Sequence, residues 1–290
     1  MLVHDVIVVG CDGSEAARTA VDWAVERAGR LGADLVLAYG IPEYWLPPAA
    51  SVLPGIVNAS TNMLEAEADR VRARLPRSSV HALARLGEPA AVLGQLSEQA
   101  DLVVVGTDKH ADAHGEGFGV VDLQVATISA CNVAVIPHHR LGKPTGGVVV
   151  GVDGSPESNR ALDIAACEAA ALGHPLTILY ATAPPKPWLL DHLSPETQGE
   201  RIDADQRKIL EEASGAAGKT HPDLEIRTDF DAQHKPADAL VRSAANADLL
   251  VLGSKGRGAL KHMLIGSVGS AVIAHVPCPT LLTRSPRQTP

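Results

Sequence analysis

The chain contains itself twice. At an offset of 141, Val8-Val9-Gly10 matches Val149-Val150-Gly151, and Asp12-Gly13-Ser14 matches Asp153-Gly154-Ser155. Ala20, Asp22, Ala24, Ala28, Leu31-Gly32, Leu35 and Tyr39 recur as Ala161, Asp163, Ala165, Ala169, Leu172-Gly173, Leu176 and Tyr180. The offset then grows to 147, after which Pro89-Ala90, Leu93, Ala100-Asp101-Leu102, Val104, Gly106, Gly119 and Cys131 recur as Pro236-Ala237, Leu240, Ala247-Asp248-Leu249, Val251, Gly253, Gly266 and Cys278. A period of this size is one ordinary domain, so the 290 residues are expected to fold as two copies of one unit. The expected boundaries are 1–140 and 146–290, with Gly, Lys and Pro between Arg140 and Gly146 marking the join.

Within each copy, short Val/Ile/Leu runs alternate with longer segments of helical period. In the second copy the runs are Val148 to Gly151, Leu176 to Ala181, Leu224 to Phe230, Asp248 to Gly253 and Pro279 to Thr283. Helical stretches start at Pro156, near Ser194, at Pro236 and at Gly266. Alternating β and α, with strands apolar on both faces, describes a parallel sheet covered on both sides. The fold class is therefore α/β, two tandem doubly wound domains. Ligands of such sheets sit beyond the carboxyl ends of the strands where the strand order reverses, which directs attention to the loops after strands one and four.

Composition removes several classes of partner. Lys plus Arg total 25 against 34 Asp plus Glu, a net charge of −9, and only 3% of residues are aromatic. That is the wrong sign for tracking a phosphate backbone and too few rings for base stacking, so nucleic acid is not expected as a partner. No apolar run approaches the ~20 residues that cross a bilayer, and no membrane association is expected. The opening residues lack the cationic and apolar regions of a secretion signal, so the expected location is cytoplasmic. Cys11, Cys131, Cys167 and Cys278 are scattered in apolar surroundings, which suggests buried thiols rather than a disulfide frame or zinc site.

Chemistry concentrates in the second copy. After its fourth strand comes Gly253-Ser-Lys-Gly256-Arg257-Gly258, followed by Gly266-Ser267 at the opening of an apolar helix. Glycines allow φ > 0 and close backbone approach, and a helix N-terminus offers unpaired N–H groups, which together make a phosphate cradle. An ordinary glycine-rich loop is the alternative. After the first strand, the Asp153 carboxylate could accept hydrogen bonds from a ribose hydroxyl or an adenine amino group, or it could simply form an Asx turn into the helix.

The pair of features, Val-Asp-Gly-Ser after strand one and Gly253-x2-Gly256-x9-Gly266-Ser267 after strand four, closely resembles the universal stress protein family in a tandem two-domain form. The resemblance implies a five-stranded parallel sheet flanked by helices in each half, and ATP as the ligand, with or without Mg²⁺. It implies that Asp153 contacts the nucleoside, that Gly151, Val152 and Ala181 line the adenine, and that Gly253, Gly256, Arg257, Gly266 and Ser267 hold the phosphates.

The first copy departs from this pattern. It keeps Asp12, Gly106 and Gly119, but Lys109 stands at the second glycine and Val120 replaces the serine. If the second glycine needs φ > 0, a side chain there costs about 1 kcal/mol. The loop from Gly106 to Gly119 also carries Asp108, Asp112 and Glu116 against Lys109, whereas Gly253 to Gly266 carries Lys255, Arg257 and Lys261 with no acid. A polyphosphate is attracted to one loop and repelled by much of the other, unless Lys109 itself reaches a phosphate.

Other motifs are weaker. Gly218-Lys219-Thr220 has the ending of a P-loop, but Ala213 occupies the place of its first glycine and Pro222 follows where a helix should begin. His110 and His114 have metal-pair spacing and His138-His139 follows the fifth strand; without a third ligand these are expected to be solvated histidines. Glu200 to Glu212 is expected to be a helix with one solvated face. These observations favour a nucleotide-dependent sensor or regulator over an enzyme, with slow ATP hydrolysis or adenylate handling, and a nucleotide-independent scaffold, as the alternatives. The two fifth strands, Val133 to Ile136 and Thr280 to Thr283, are edges expected to pair, within one chain or in a homodimer or other homo-oligomer.

Overall fold

The computed structural model describes residues 5–42, 53–108, 120–138, 146–183, 195–256 and 265–284. These fall into two compact units. Unit one runs β1 (Val6–Gly10), α1 (Glu15–Leu31), β2 (Asp34–Ile41), α2 (Leu53–Arg74), β3 (Val80–Leu86), α3 (Pro89–Leu96), β4 (Leu102–Thr107), α4 (Val120–Ile128) and β5 (Asn132–Pro137). Unit two runs β6 (Val148–Gly151), α5 (Pro156–Leu172), β7 (Leu176–Ala181), α6 (Pro195–Thr220), β8 (Ile226–Asp231), α7 (Pro236–Ser243), β9 (Leu249–Gly253), α8 (Ser267–Ala274) and β10 (Thr280–Thr283).

The duplicated residues do the same local work in both units. Ser14 is the N-cap of α1 and accepts a hydrogen bond from the Ala17 N–H at 3.1 Å; Ser155 caps α5 and accepts from the Ser158 N–H at 3.2 Å. Gly32 and Gly173 end these helices with φ of 68° each, a left-handed conformation that glycine adopts without a Cβ penalty. The faces turned to the sheet are dominated by alanine, Ala20, Ala24 and Ala28 in α1 and Ala161, Ala165 and Ala169 in α5, all fully buried. Small side chains let the helix axis come close to the strands.

Each unit carries a parallel sheet of five described strands, in the order β3-β2-β1-β4-β5 and β8-β7-β6-β9-β10. The central strands are apolar on both faces, with Val8, Val9, Val103 and Val104 in unit one and Val149, Val150, Leu250 and Val251 in unit two buried. The outer strand β8 departs from the expected two-faced burial: Arg227, Thr228, Asp229 and Phe230 are exposed, because an outermost strand has a neighbour on one side alone. In each unit the chain leaves β1 (or β6) toward β2 (or β7) on one side, while β4 (or β9) pairs on the other. The strand order therefore reverses between β1 and β4, and between β6 and β9, and at that point the helices on opposite faces leave a crevice.

Candidate functional site

In unit two the crevice is a cavity of about 260 Å³. One end is formed where β6 and β7 stop, by Gly151, Val152, Leu179 and Ala181, with Pro236 and Leu240 of α7 closing the side. This end is apolar. Gly151 leaves room for it to be so: a Cβ there would come within 2.9 Å of a Leu240 methyl and 3.0 Å of a Leu252 methyl. The other end is polar and consists of Asp153, Ser158, Lys255 and Gly256, with residues Gly266 to Gly269 at the start of α8.

Asp153 forms an Asx turn and also borders the cavity. Its Oδ1 accepts a hydrogen bond from the Ser155 N–H at 2.9 Å, and Gly154 takes φ of 76° to complete the turn. The Ser158 Oγ accepts from the Asp153 N–H at 3.3 Å and donates to the Ser155 carbonyl at 2.9 Å, so the turn is braced from inside the helix. With Oδ1 held in this way, Oδ2 is aimed across the crevice at the loop after β9.

Gly253 and Gly256 are required for space, not for left-handed backbone. None of Gly253, Gly256 and Gly266 has positive φ, which corrects the conformational argument made from the sequence. A Cβ on Gly256 would lie 2.5 Å from Asp153 Oδ2. A Cβ on Gly253 would lie 3.0 Å from the backbone of Glu157, in the first turn of α5. Gly253 is thus a packing glycine at the end of β9, and its counterpart Gly106 is the same, with a Cβ that would meet the Ala16 carbonyl oxygen at 2.1 Å. Gly266 has open surroundings, its nearest prospective contacts being at 3.5 Å.

The loop returns to the sheet through the Gly266 N–H, which donates to the Ser254 carbonyl at 2.7 Å. Gly266 is then the N-cap of α8 and has no side chain to offer the first turn. In α1 and α5 a serine oxygen fills that role; in α8 the first N–H groups border the cavity instead. A helix end of this kind carries unpaired donors and the positive end of the backbone dipole, and suits an anion. Lys255 adds a cationic side chain at the same end.

Unit one holds a matching cavity of about 240 Å³. Asp12 repeats the Asx turn, accepting from the Ser14 N–H at 2.9 Å, and Gly10, Cys11, Ala38, Gly40, Pro89 and Leu93 repeat the apolar end. The polar end is different. Asp108 replaces Lys255, with its Oδ1 2.9 Å from His138 Nδ1, so His138 is half-buried beside a carboxylate rather than simply solvated. Asp122 stands in the first turn of α4 where the repeat places Gly269 in α8. It is 3% exposed, accepts a hydrogen bond from the Thr107 hydroxyl at 3.0 Å, and accepts from the Leu123 N–H at 2.7 Å.

Of the residues proposed from the sequence, Gly151, Val152, Asp153, Ala181, Gly253, Gly256, Gly266 and Ser267 converge on the second cavity, and Asp12 and Gly106 on the first. Arg257, Lys109, Gly119, Lys261, His110, His114 and His139 lie outside the described residues. Sequence reasoning missed Ser158, Leu179, Pro236 and Leu240 as cavity walls, although Pro236 and Leu240 were among the duplicated residues; Lys255, read there only as part of the loop's positive charge, lines the cavity. It also missed Asp122, whose signal was its alignment with Gly269 at the same offset of 147. Cys167 is exposed, against the expectation of four buried thiols, because it faces outward on α5; Cys11, Cys131 and Cys278 are buried. Burial, reinforced by the nearby Glu67 and Asp12 carboxylates, pushes the Cys11 thiol up to about 11. Among the described residues, no group of three His, Cys, Asp or Glu side chains converges as a metal site, and no helix is long and apolar enough to cross a membrane.

A model of the Universal stress protein family matches the chain twice, over residues 4–137 and 146–284. The universal stress protein Rv2623 of Mycobacterium tuberculosis is 30% identical over 297 residues, which cover 96% of each chain. Universal stress protein Rv1996 of the same organism is 28% identical over 308 residues, covering 97% of this chain and 95% of that protein. Among solved structures, a universal stress protein from Archaeoglobus fulgidus DSM 4304 is similar in fold, with a TM-score of 0.74 at 18% identity over 96% of this chain and 98% of that one.

Proposed function

The chain belongs to the universal stress protein family in a tandem two-domain form, and we propose that its second domain binds ATP and works as a nucleotide-dependent sensor or regulator of a stress response. One observation carries this reading. The second cavity joins an apolar slot to a polar end that has an uncapped helix N-terminus and Lys255 on one side and the Asp153 carboxylate on the other. The ends of β6 and β7 suit a flat apolar base, and the first turn of α8 with Lys255 suits phosphate oxygens. Asp153 Oδ2 suits a ribose hydroxyl between them.

The residues present therefore fit a nucleotide. Their part is to bind and orient: Asp153 is held by the turn, Gly256 leaves the space that its carboxylate needs, and Gly253 brings the loop against α5. Calorimetric titration of ATP into the full chain tests the reading. Saturable binding, weakened by Asp153→Ala and removed by Gly256→Glu with the fold intact by thermal melt, is the expected result; an unchanged affinity in both variants would overturn it.

A further inference from the structure

The first cavity keeps the apolar end and the Asx turn of the second but differs where the second suits phosphate. Asp122 is the difference with the most physical consequence. Its carboxylate is buried, so solvent and salt screen its charge little. It is held in place by the Thr107 hydroxyl and occupies the first turn of α4 as a side-chain anion, the position where α8 presents Gly269 and a bare backbone. A helix N-terminus that already has a carboxylate beside it has less positive potential to offer a second anion. Asp108 in place of Lys255 acts in the same direction, although His138 partners it.

We propose that the first cavity is a nucleoside site closed to phosphates, with Asp122 as the residue that sets this specificity. The cavity takes a ligand with a flat base and a hydroxyl-bearing sugar, and rejects the phosphorylated form because Asp122 stands in for the phosphate. The inference rests on the reading of the second cavity for the assignment of base and phosphate ends; the exclusion itself rests on the buried carboxylate of the first.

The experiment uses the full chain carrying Gly256→Glu, so that the second cavity is silent, and follows binding of labelled adenosine with ATP as competitor. Adenosine is expected to be retained, with ATP competing at least tenfold more weakly than unlabelled adenosine. Adding Asp122→Gly is expected to improve ATP competition about tenfold or more, and Asp122→Asn, which keeps the shape and the Thr107 contact, to improve it in the same direction while guarding against misfolding. ATP competing as well as adenosine with Asp122 present would overturn the proposal, as would both variants leaving the ranking unchanged, or no adenosine retained at all. The unsubstituted chain is titrated with ATP in parallel: no ATP binding there counts against the second-cavity reading, while the adenosine-to-ATP ranking still decides the first.

Discussion

At the end of β6 and at the end of β1 the chain builds one turn twice, with an Asp-Gly-Ser Asx turn and serine cap that agree to within 0.1 Å in their hydrogen bonds, 2.9 and 3.2 Å against 2.9 and 3.1 Å. Across the crevice the two units diverge. Unit two faces its aspartate with Gly256, Lys255 and an open helix end; unit one faces its aspartate with a helix end that holds its own buried carboxylate. A turn that supports the fold is retained because the first helix needs its cap, whereas residues that meet a ligand can change charge without unfolding the domain. The Asx turn alone therefore does not distinguish the two cavities; the facing loop and helix do.

The sharpest way to break this comparison is Gly256→Glu. It sets a second carboxylate against Asp153 where even a Cβ would lie 2.5 Å from Oδ2, and ATP affinity is expected to fall by more than about a hundredfold by calorimetry. If most binding survived, the nucleotide would belong to unit one.

Asp153→Ala should come next. Loss of one charge-assisted hydrogen bond is worth about 1.5 to 3 kcal/mol, or about ten- to hundredfold in affinity, while Asp12→Ala should change total ATP binding by less than about twofold. Equal effects from the two substitutions would erase the distinction between the cavities.

Two alanine substitutions separate space from conformation. Gly256→Ala is expected to displace the Asp153 carboxylate and weaken ATP by about tenfold, whereas Gly266→Ala, whose nearest contacts would be 3.5 Å away, should weaken it less. The reverse order would show that the loop glycines serve the backbone after all.

The smallest effect concerns Cys11, which lines the first cavity where the second has Val152. Its folded-state pKa of about 11 lies above the ordinary thiol value of 9.0, so below pH 9 both folded and unfolded chains hold the proton and nothing is lost. Between pH 9 and 11 the unfolded thiol ionises while the buried one does not, and stability falls. Denaturant melts at about pH 8 and about pH 10 should show Cys11→Val losing about 1 kcal/mol less than the unsubstituted chain over that interval. An identical loss would mean that the Cys11 thiol is not held protonated by burial.

Much of this molecule is local and could be read along the chain. The duplication is visible by direct comparison of the two halves, while the strand and helix alternation follows from hydrophobic periodicity and the serine caps and Leu-Gly helix ends from residue type within a few positions. The charge contrast between the two loops needed no structure either. Boundaries shifted by a residue or two, as at Ile226 and Thr280, although the flanking Glu225 and Pro279 carbonyls still accept hydrogen bonds from the Leu176 and Leu250 N–H groups of the neighbouring strands.

What the tertiary structure decided is which side chains meet across the crevice. Gly256 is 103 residues from Asp153 (256 − 153), and its lack of a Cβ matters because the parallel β6–β9 pairing brings the two loops to one end of the sheet. Leu240 becomes a wall of the cavity because α7 packs over β7 and brings its methyls to Gly151 at the end of β6, and Asp122 becomes a buried carboxylate because the first turn of α4 points it at Thr107 at the end of β4. Periodicity specifies the face of a helix but not the atom it will oppose. Spacing in the sequence identified the loop that could hold phosphate; only the direction of side chains across the sheet showed that unit one sets a buried carboxylate at the helix end where unit two has Gly269.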